Sequence, residues 1–325
     1  MTFLDTWDAV PPMWKVILKK NLIFQTELMA IQRSQSKFAA RYYDMETYWR
    51  VFFGGREIDL DITKDEFEQI QRLEKINCDG TQVEDLAILR DLGLDALKTI
   101  DCSRTAIGRI DELAGLERLA ILAFEYTRVS DLLSLHDSGT LRKLYFSHTA
   151  VSDLGVLERL PLLTNLDFNA TEVSDLSPLE SCPNLETVVM NGCIKVSELG
   201  GLTSTTELFK LDITGTGLTS IDGLAGHSKL RVLLAGNLSL DGIDVVGNLP
   251  VLESLYLNNA RHQLDLACLE SCPSLKALYI GGTLVRNSEV LLEMPSLTML
   301  FHDGLPEDFC AQLSRANPRC SIVFQ

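Results

Sequence analysis

The chain has 325 residues, 46% of them hydrophobic, with 29 Lys+Arg against 45 Asp+Glu, so its formal charge is −16. That apolar share suffices for a folded core and excludes a disordered polyelectrolyte. The acid excess argues against a surface that grips nucleic-acid phosphates, which needs clustered Lys and Arg, and makes a basic protein the expected partner.

Asp5 and Asp8 stand where a secretory leader carries positive charge, and no apolar run approaches a membrane span. The expectation is a cytoplasmic chain. Residues 11–53 read as two or three amphipathic helices. In the stretch MWKVILKKNLIF, Lys15, Lys19 and Lys20 flank Trp14, Ile17, Leu18 and Leu22, the pattern of a cap helix whose lysines snorkel to solvent; a helix lying on a membrane surface is the alternative. Tyr42, Tyr43, Tyr48, Trp49, Phe52 and Phe53 are expected to lock that cap together. Ile58, Leu60 and Ile62 alternate with Asp59 and Asp61, which predicts a first strand near 57–62. Thr63 to Glu66 is a capping box opening a helix through Phe67 and Ile70.

From residue 73 a leucine recurs at 73, 97, 119, 141, 163, 185, 208, 230, 252, 275 and 297. Three residues after each comes Ile, Leu or Val, and eight residues after it comes Thr in seven of the eleven units: Thr81, Thr105, Thr127, Thr149, Thr171, Thr216 and Thr283. A Val or Ile follows, often with Ser-Asp-Leu, as in TRVSDLLSL, TAVSDLGVL and TEVSDLSPL. Each unit is too short to bury its own apolar face and gains a core only by stacking on its neighbours. Alternation in LxxLxL turns offsets three and five inward and offsets two, four and six outward, so stacked strands form one parallel sheet. Units of 22 residues leave no room for a full helix opposite each strand, and the convex side should be extended chain and 3₁₀ turns.

This positional code resembles the 22-residue class of leucine-rich repeats found in bacterial internalins and in the regulatory subunit of protein phosphatase one. The resemblance implies a right-handed solenoid of the α/β class, with one curved parallel β-sheet on its concave face and no catalytic centre, and the Thr-bearing variant phrase points to a bacterial source. Where that class carries Asn at the eighth position, Thr mostly stands here, and its hydroxyl is expected to bond loop backbone in the same way. Residues 1–72 then form a helical N-terminal cap, 73–304 a solenoid of about eleven repeats, and 305–325 a C-terminal cap. In the last, Pro306 to Arg315 reads as a helix, Asn317-Pro318 as a turn, and Cys320, Ile322 and Phe324 as one face of a closing strand.

Catalysis finds no address in the sequence. The histidines at 136, 148, 227, 262 and 302 are isolated, the eight cysteines show no CxxC pair or zinc spacing, and Gly200-Gly201 and Gly281-Gly282 read as turns. His302 falls at a buried offset and His148 on the surface. The cysteines read as small core residues, with Cys182 and Cys272 at matching places in LESCPNL and LESCPSL. No metal and no cofactor are expected.

The concave columns carry the information. Leu234, Tyr256, Tyr279 and Phe301 occupy offset four of four consecutive units, with Met299 beside them, an outward apolar ladder of the kind that marks binding sites. Tyr145 belongs to the same column. The opposing possibility for Phe301 and Met299 is that the C-terminal cap folds over them. Asp79, Asp101, Glu125, Asp167 and Asp212 make the first half of the face acidic and able to steer a basic partner, or simply soluble. Residues 1–53 hold seven basic and five acidic side chains, leaving 22 basic and 40 acidic, or about −18, for the rest. Lys195 and Arg261, in the two 23-residue units, are candidate rim contacts. The expectation is a non-enzymatic binding module, an inhibitor or immunity protein in its concrete form; a regulatory or scaffolding subunit and a delivered bacterial effector are the alternatives.

Overall fold

The computed structural model describes residues 3–33 and 60–324. Every repeat leucine lies two residues before a strand: β1 (Lys75–Asn77), β2 (Thr99–Asp101), β3 (Ile121–Ala123), β4 (Lys143–Tyr145), β5 (Asn165–Asp167), β6 (Thr187–Val189), β7 (Lys210–Asp212), β8 (Val232–Leu234) and β9 (Ser254–Tyr256), then β11 (Ala277–Tyr279) and β13 (Met299–His302). With a closing strand β14 (Ser321–Phe324) they form one twelve-stranded sheet in which each strand pairs parallel with the next unit's. The short strands β10 (Leu264–Asp265) and β12 (Val285–Arg286) make a second parallel pair in the last units.

Pairing is in register from unit to unit, Ile76 on Ile100 and Leu278 on Leu300, so residues at one offset align as columns. Offsets three and five point into the core as the alternation predicts. Phe124, Phe146 and Phe168 fill offset five in three successive units, all fully buried, with ring centroids 5.9 and 5.8 Å apart and interplanar angles of 14° and 15°. The threonines act as expected: the hydroxyls of Thr81, Thr105, Thr127, Thr149, Thr171 and Thr216 donate at 2.6–2.8 Å to the carbonyl three residues back. Each closes the turn that leaves the strand. Thr283 instead reaches the Leu257 carbonyl of the preceding unit, at 2.6 Å.

The convex side carries a 3₁₀ turn in most units, such as Asp111–Leu113 and Gly155–Arg159, and a short helix α4 (Ala87–Asp91) in the first. These turns pack tightly between units. A Cβ on Gly201 would fall 1.8 Å from the Leu176 carbonyl oxygen, which is why the Gly-Gly pair is a structural turn.

At the N-terminus α1 (Phe3–Ala9), α2 (Pro12–Arg33) and α3 (Lys64–Gln71) cover the first unit. Thr63 and Glu66 form the predicted capping box. Trp14, Ile17, Leu18 and Leu22 are buried, so the apolar face of α2 packs on protein. Lys19 departs from the snorkelling expectation: it is buried and bonds Glu66 Oε1 at 2.9 Å and the Asp61 carbonyl at 2.7 Å. Of the strand predicted near 57–62, residues 57–59 lie outside the described residues and 60–62 carry no strand. The free edge of β1 is met by α2. Asn21 Oδ1 accepts from the Asn77 N–H at 2.9 Å, its Nδ2 donates to the Asn77 carbonyl at 3.0 Å, and Gln25 Oε1 accepts from the Glu74 N–H at 3.1 Å. The aromatic group from Tyr42 to Phe53 also lies outside the described residues.

At the other end, α5 (Glu307–Ala316) and β14 follow the last repeat. Cys320 and Ile322 turn inward as predicted, whereas Phe324 is 73% exposed. It pairs with His302 across the ladder and meets that ring edge-on at 5.9 Å. Among the described residues no helix is long and apolar enough to cross a membrane.

Candidate functional site

The register assembles the apolar ladder at offset four. Leu234, Tyr256, Tyr279, Phe301 and then Val323 of β14 lie on adjacent strands. The rings of Tyr256 and Tyr279 stack at 3.9 Å and 7°, those of Tyr279 and Phe301 at 4.3 Å and 8°. Met299 neighbours them, its sulfur accepting from the Tyr279 hydroxyl at 3.4 Å. The C-terminal cap does not fold over this face; it continues the sheet by one strand, so Phe301 stays partly open and Met299 36% exposed. Burial against its neighbour, then the Tyr279 hydroxyl, pushes the Tyr256 phenol up to about 12, so it stays a neutral donor. Tyr145 is not part of the ladder: Asp167, Val189, Asp212 and Leu234 separate it from Tyr256, a gap of roughly 24 Å at ~4.8 Å per strand.

The acidic half is smaller than its sequence suggests. Asp79 is bound by Arg104, whose Nε reaches Oδ1 at 2.8 Å while a second guanidinium nitrogen contacts Oδ2. Asp212 is only 9% exposed, set between Val189 and Leu234 with Oδ1 turned back onto the Thr214 N–H at 3.0 Å. Asn77 and Asp101 make the same bond to the N–H two residues on. The carboxylates left to face a partner are Glu125 and, less freely, Asp101 and Asp167: Asp101 already accepts from the Ser103 N–H and the Asn77 amide, and Asp167 from the Ser147 hydroxyl and the Asn169 N–H. Burial raises the Asp101 pKa, and burial together with the charges of Asp167, Asp101 and Asp79 raises that of Glu125. Offset six is also less open than alternation predicts. Ser103 and Ser147 are buried because their hydroxyls accept the Glu125 and Asn169 N–H groups of the next unit at 3.2 and 2.8 Å.

As a sequence the chain matches no protein-family model and no curated relative. As a structure it superposes on an internalin of Listeria monocytogenes with a TM-score of 0.55, at 20% identity over 84% of this chain and 92% of the other. The chain has the leucine-rich repeat solenoid fold that this internalin also has. A plant peptide hormone receptor in complex with RGF2 (TM-score 0.62, 16% identity, 81% of this chain and 45% of that one) shares the fold. So does the receptor of a TLR13–ssRNA13 complex (0.59, 15%, 80% and 47%). This solenoid spans under half the length of those two receptor chains.

His227 and most of the cysteines of the solenoid serve packing. His227 is buried with its nitrogens on the Leu224 and Leu202 carbonyls at 3.1 and 3.0 Å. All eight thiols are free and six are buried. Cys310 and His302 do touch, Sγ to Nε2 at 3.3 Å, a pairing the sequence reading did not anticipate. Leu305 N–H donates to His302 Nδ1 at 3.3 Å, so the neutral ring carries its proton on Nε2 and donates it to sulfur. Burial lowers the His302 pKa against the charge of Asp303, and burial followed by Glu307 raises the Cys310 thiol. The contact ties α5 to β13.

Three side chains beside the acidic half were not singled out as sites. Arg104, Tyr126 and His148 share offset seven of consecutive units; Tyr126 is 57% exposed and stacks on His148 at 4.2 Å and 14°. Their shared offset, one residue beyond the outward-facing positions, is the signal in the sequence that marks them. Of the two rim candidates, Lys195 is paired with Glu172 at 2.6 Å, and Arg261 is exposed.

Glu125 yields a direct test. Its raised pKa means that the folded chain holds the proton more tightly than the unfolded chain, so ionisation at neutral pH costs stability, which returns as pH falls through the folded pKa. Glu125→Gln should therefore raise the melting temperature at pH 7, by about 1–3 °C on the size scaling for such domains, and the gain should shrink on acidification. Melting curves of both proteins from pH 7 to pH 4 check this; a fall in melting temperature at pH 7 would show that the carboxylate stabilises the fold instead.

Proposed function

We propose that this solenoid is a non-enzymatic binding module that captures a basic protein on its concave face. The observation that carries the reading is the three-ring stack of Tyr256, Tyr279 and Phe301, aligned on adjacent strands and left partly open to solvent. Water does not favour such a surface, while aromatic side chains on a rigid support are what binding hot spots are made of. Structures of the same fold hold RGF2 in one receptor and single-stranded RNA in another. Here Asp101, Glu125 and Asp167 on the same face repel phosphates and attract Lys and Arg, which favours protein over nucleic acid.

In its concrete form the module is an inhibitor or immunity protein of the bacterial cytoplasm, where buried thiols stay reduced and a rigid acidic surface plugs a basic target with little ordering cost. Chemistry belongs to the target. The test is affinity capture with quantitative mass spectrometry, comparing the natural chain with a Tyr256→Ala, Tyr279→Ala, Phe301→Ala variant that melts as a folded protein. One basic protein should be enriched by the natural chain and fall at least about tenfold in the variant, as loss of a hot-spot cluster requires. Unchanged capture defeats the ladder. The activity of the captured protein, abolished or redirected, then separates an inhibitor from a regulatory subunit.

A further inference from the structure

The residue at offset seven turns the chain out of each strand in a left-handed conformation. φ is positive at Gly80, Arg104, Tyr126, His148, Ala170, Gly192, Gly215, Asn237, Asn259 and Gly282, between 50° and 73°. In six of these ten units the residue is Gly or Asn, which tolerate that conformation, and in four consecutive units it is not. Arg104, Tyr126 and His148 are large, and each holds an unfavourable backbone in a place where this same chain elsewhere uses Gly or Asn. Strain of that kind persists where the side chain is needed.

These side chains stand along one edge of the acidic half of the concave face. Arg104 is occupied with Asp79. Tyr126 and His148 form a flat two-ring shelf, and Glu125 precedes Tyr126 in the chain. Glu125, just beyond β3, feels the charges of Asp167 on β5 and of Asp101 on β2. A planar cation would relieve that repulsion and cover the rings. The molecule contains its own example of the arrangement: Arg231 lies over the Phe209 ring at 6.0 Å while bonding Glu253 at 2.7 Å.

We propose that Tyr126 and His148, with the adjoining Glu125, form a seat for an arginine side chain of the partner, its guanidinium flat on the ring shelf and its N–H groups toward Glu125, while Asp101 and Asp167 on strands to either side add attraction at longer range. The inference rests on the proposed capture of a basic protein for the source of that arginine, but not on the tyrosine ladder. Arginine suits the seat better than lysine because its guanidinium is planar, stacks on aromatic faces and donates from a rigid fork, whereas an ammonium is a strongly hydrated point charge.

The test uses two blocked peptides, Gly-Gly-Arg-Gly-Gly and Gly-Gly-Lys-Gly-Gly, titrated at low ionic strength into the full chain while the Tyr126 and His148 ring signals are followed by NMR. The arginine peptide should move both rings and bind at least about threefold more tightly than the lysine peptide. A Tyr126→Asn, His148→Asn variant, which places at this turn the residue found at Asn237 and Asn259, should melt at a higher temperature and lose the arginine preference. A purely structural role predicts the higher melting temperature without that loss. Equal binding of the two peptides, no ring shift with either, or a preference that survives the variant each overturns the proposal. The ladder variant should retain the arginine preference, so failure of the ladder and failure of this seat are read separately.

Discussion

Phe146→Ala should cost about 4 kcal/mol of stability, the usual price of removing a fully enclosed phenylalanine ring. Phe146 is stacked on both sides, by Phe124 at 5.9 Å and by Phe168 at 5.8 Å, and none of the three is exposed. The neighbouring rings belong to different units, each held by its own strand, so the void cannot be closed by one side chain moving. In a stacked array this loss falls on two unit-to-unit interfaces together, the term on which such arrays depend. Urea unfolding followed by circular dichroism should show the midpoint falling by an amount equal to about 4 kcal/mol divided by the m-value. Tyr256→Ala, also an aromatic ring removed from the sheet but on its outer face, should cost about 1 kcal/mol or less, because that ring is partly in water and loses stacking rather than enclosure. If the two changes cost the same, the inner column is not the spine of the array.

The contrast between the two faces bears on function. At offset five the chain spends its large side chains on enclosure: Phe124, Phe146, Phe168, Met190, Ile213. At offset four it places Tyr256, Tyr279 and Phe301 where enclosure is incomplete, and one half-sheet away it gathers Asp101, Glu125 and Asp167, of which the first two have raised pKa values. Folding gains nothing from raised carboxylates, and exposed stacked rings gain far less than buried ones. Both features become favourable when a complementary surface covers them, since a cation neutralises the first and an apolar contact dehydrates the second.

Much of this was legible in the residues because the repeat is a positional code. Once the leucines at 73 to 297 are aligned, the start of each of the eleven repeat strands and every column follows, and the ladder from Leu234 to Phe301 can be read from the residues alone. The threonine hydroxyls at offset eight were equally legible, since the acceptor is only three residues away. What was hidden depends on contacts between distant residues or on backbone dihedrals. Arg104 binds Asp79 across 25 residues, and the pattern displays both only as charges. Asp212 sits at an outward offset and is buried because its neighbours are Val189 and Leu234 and its own backbone takes its oxygen. The left-handed turn at offset seven leaves a Gly and Asn signature in six units, and in the four units where it matters most that signature is replaced by Arg, Tyr, His and Ala.

The edge of the first strand leads to the second large prediction. A parallel solenoid must satisfy the first strand's outer edge, and here a helix does so with two side-chain amides, Asn21 and Gln25, four residues apart and so on one face of α2. Asn21 is 2% exposed and supplies both an acceptor and a donor to Asn77. Asn21→Leu keeps the bulk and removes both bonds, leaving one N–H and one carbonyl unpaired beneath the helix, each worth about 1–3 kcal/mol when buried, so a loss of about 3 kcal/mol is expected. Asn21→Asp keeps the acceptor but sets a carboxylate oxygen against the Asn77 carbonyl, and should be no better than Leu. The damage should be local to the N-terminal end. Amide exchange should quicken at Asn77 and Glu74 while the amides of Leu257 and Ile280, bonded to the Tyr279 and Phe301 carbonyls, keep their protection. Unchanged exchange at Asn77 in the Leu variant would mean that α2 covers the edge without closing it, and the cap would then owe its hold to Trp14, Leu18 and Leu22 alone.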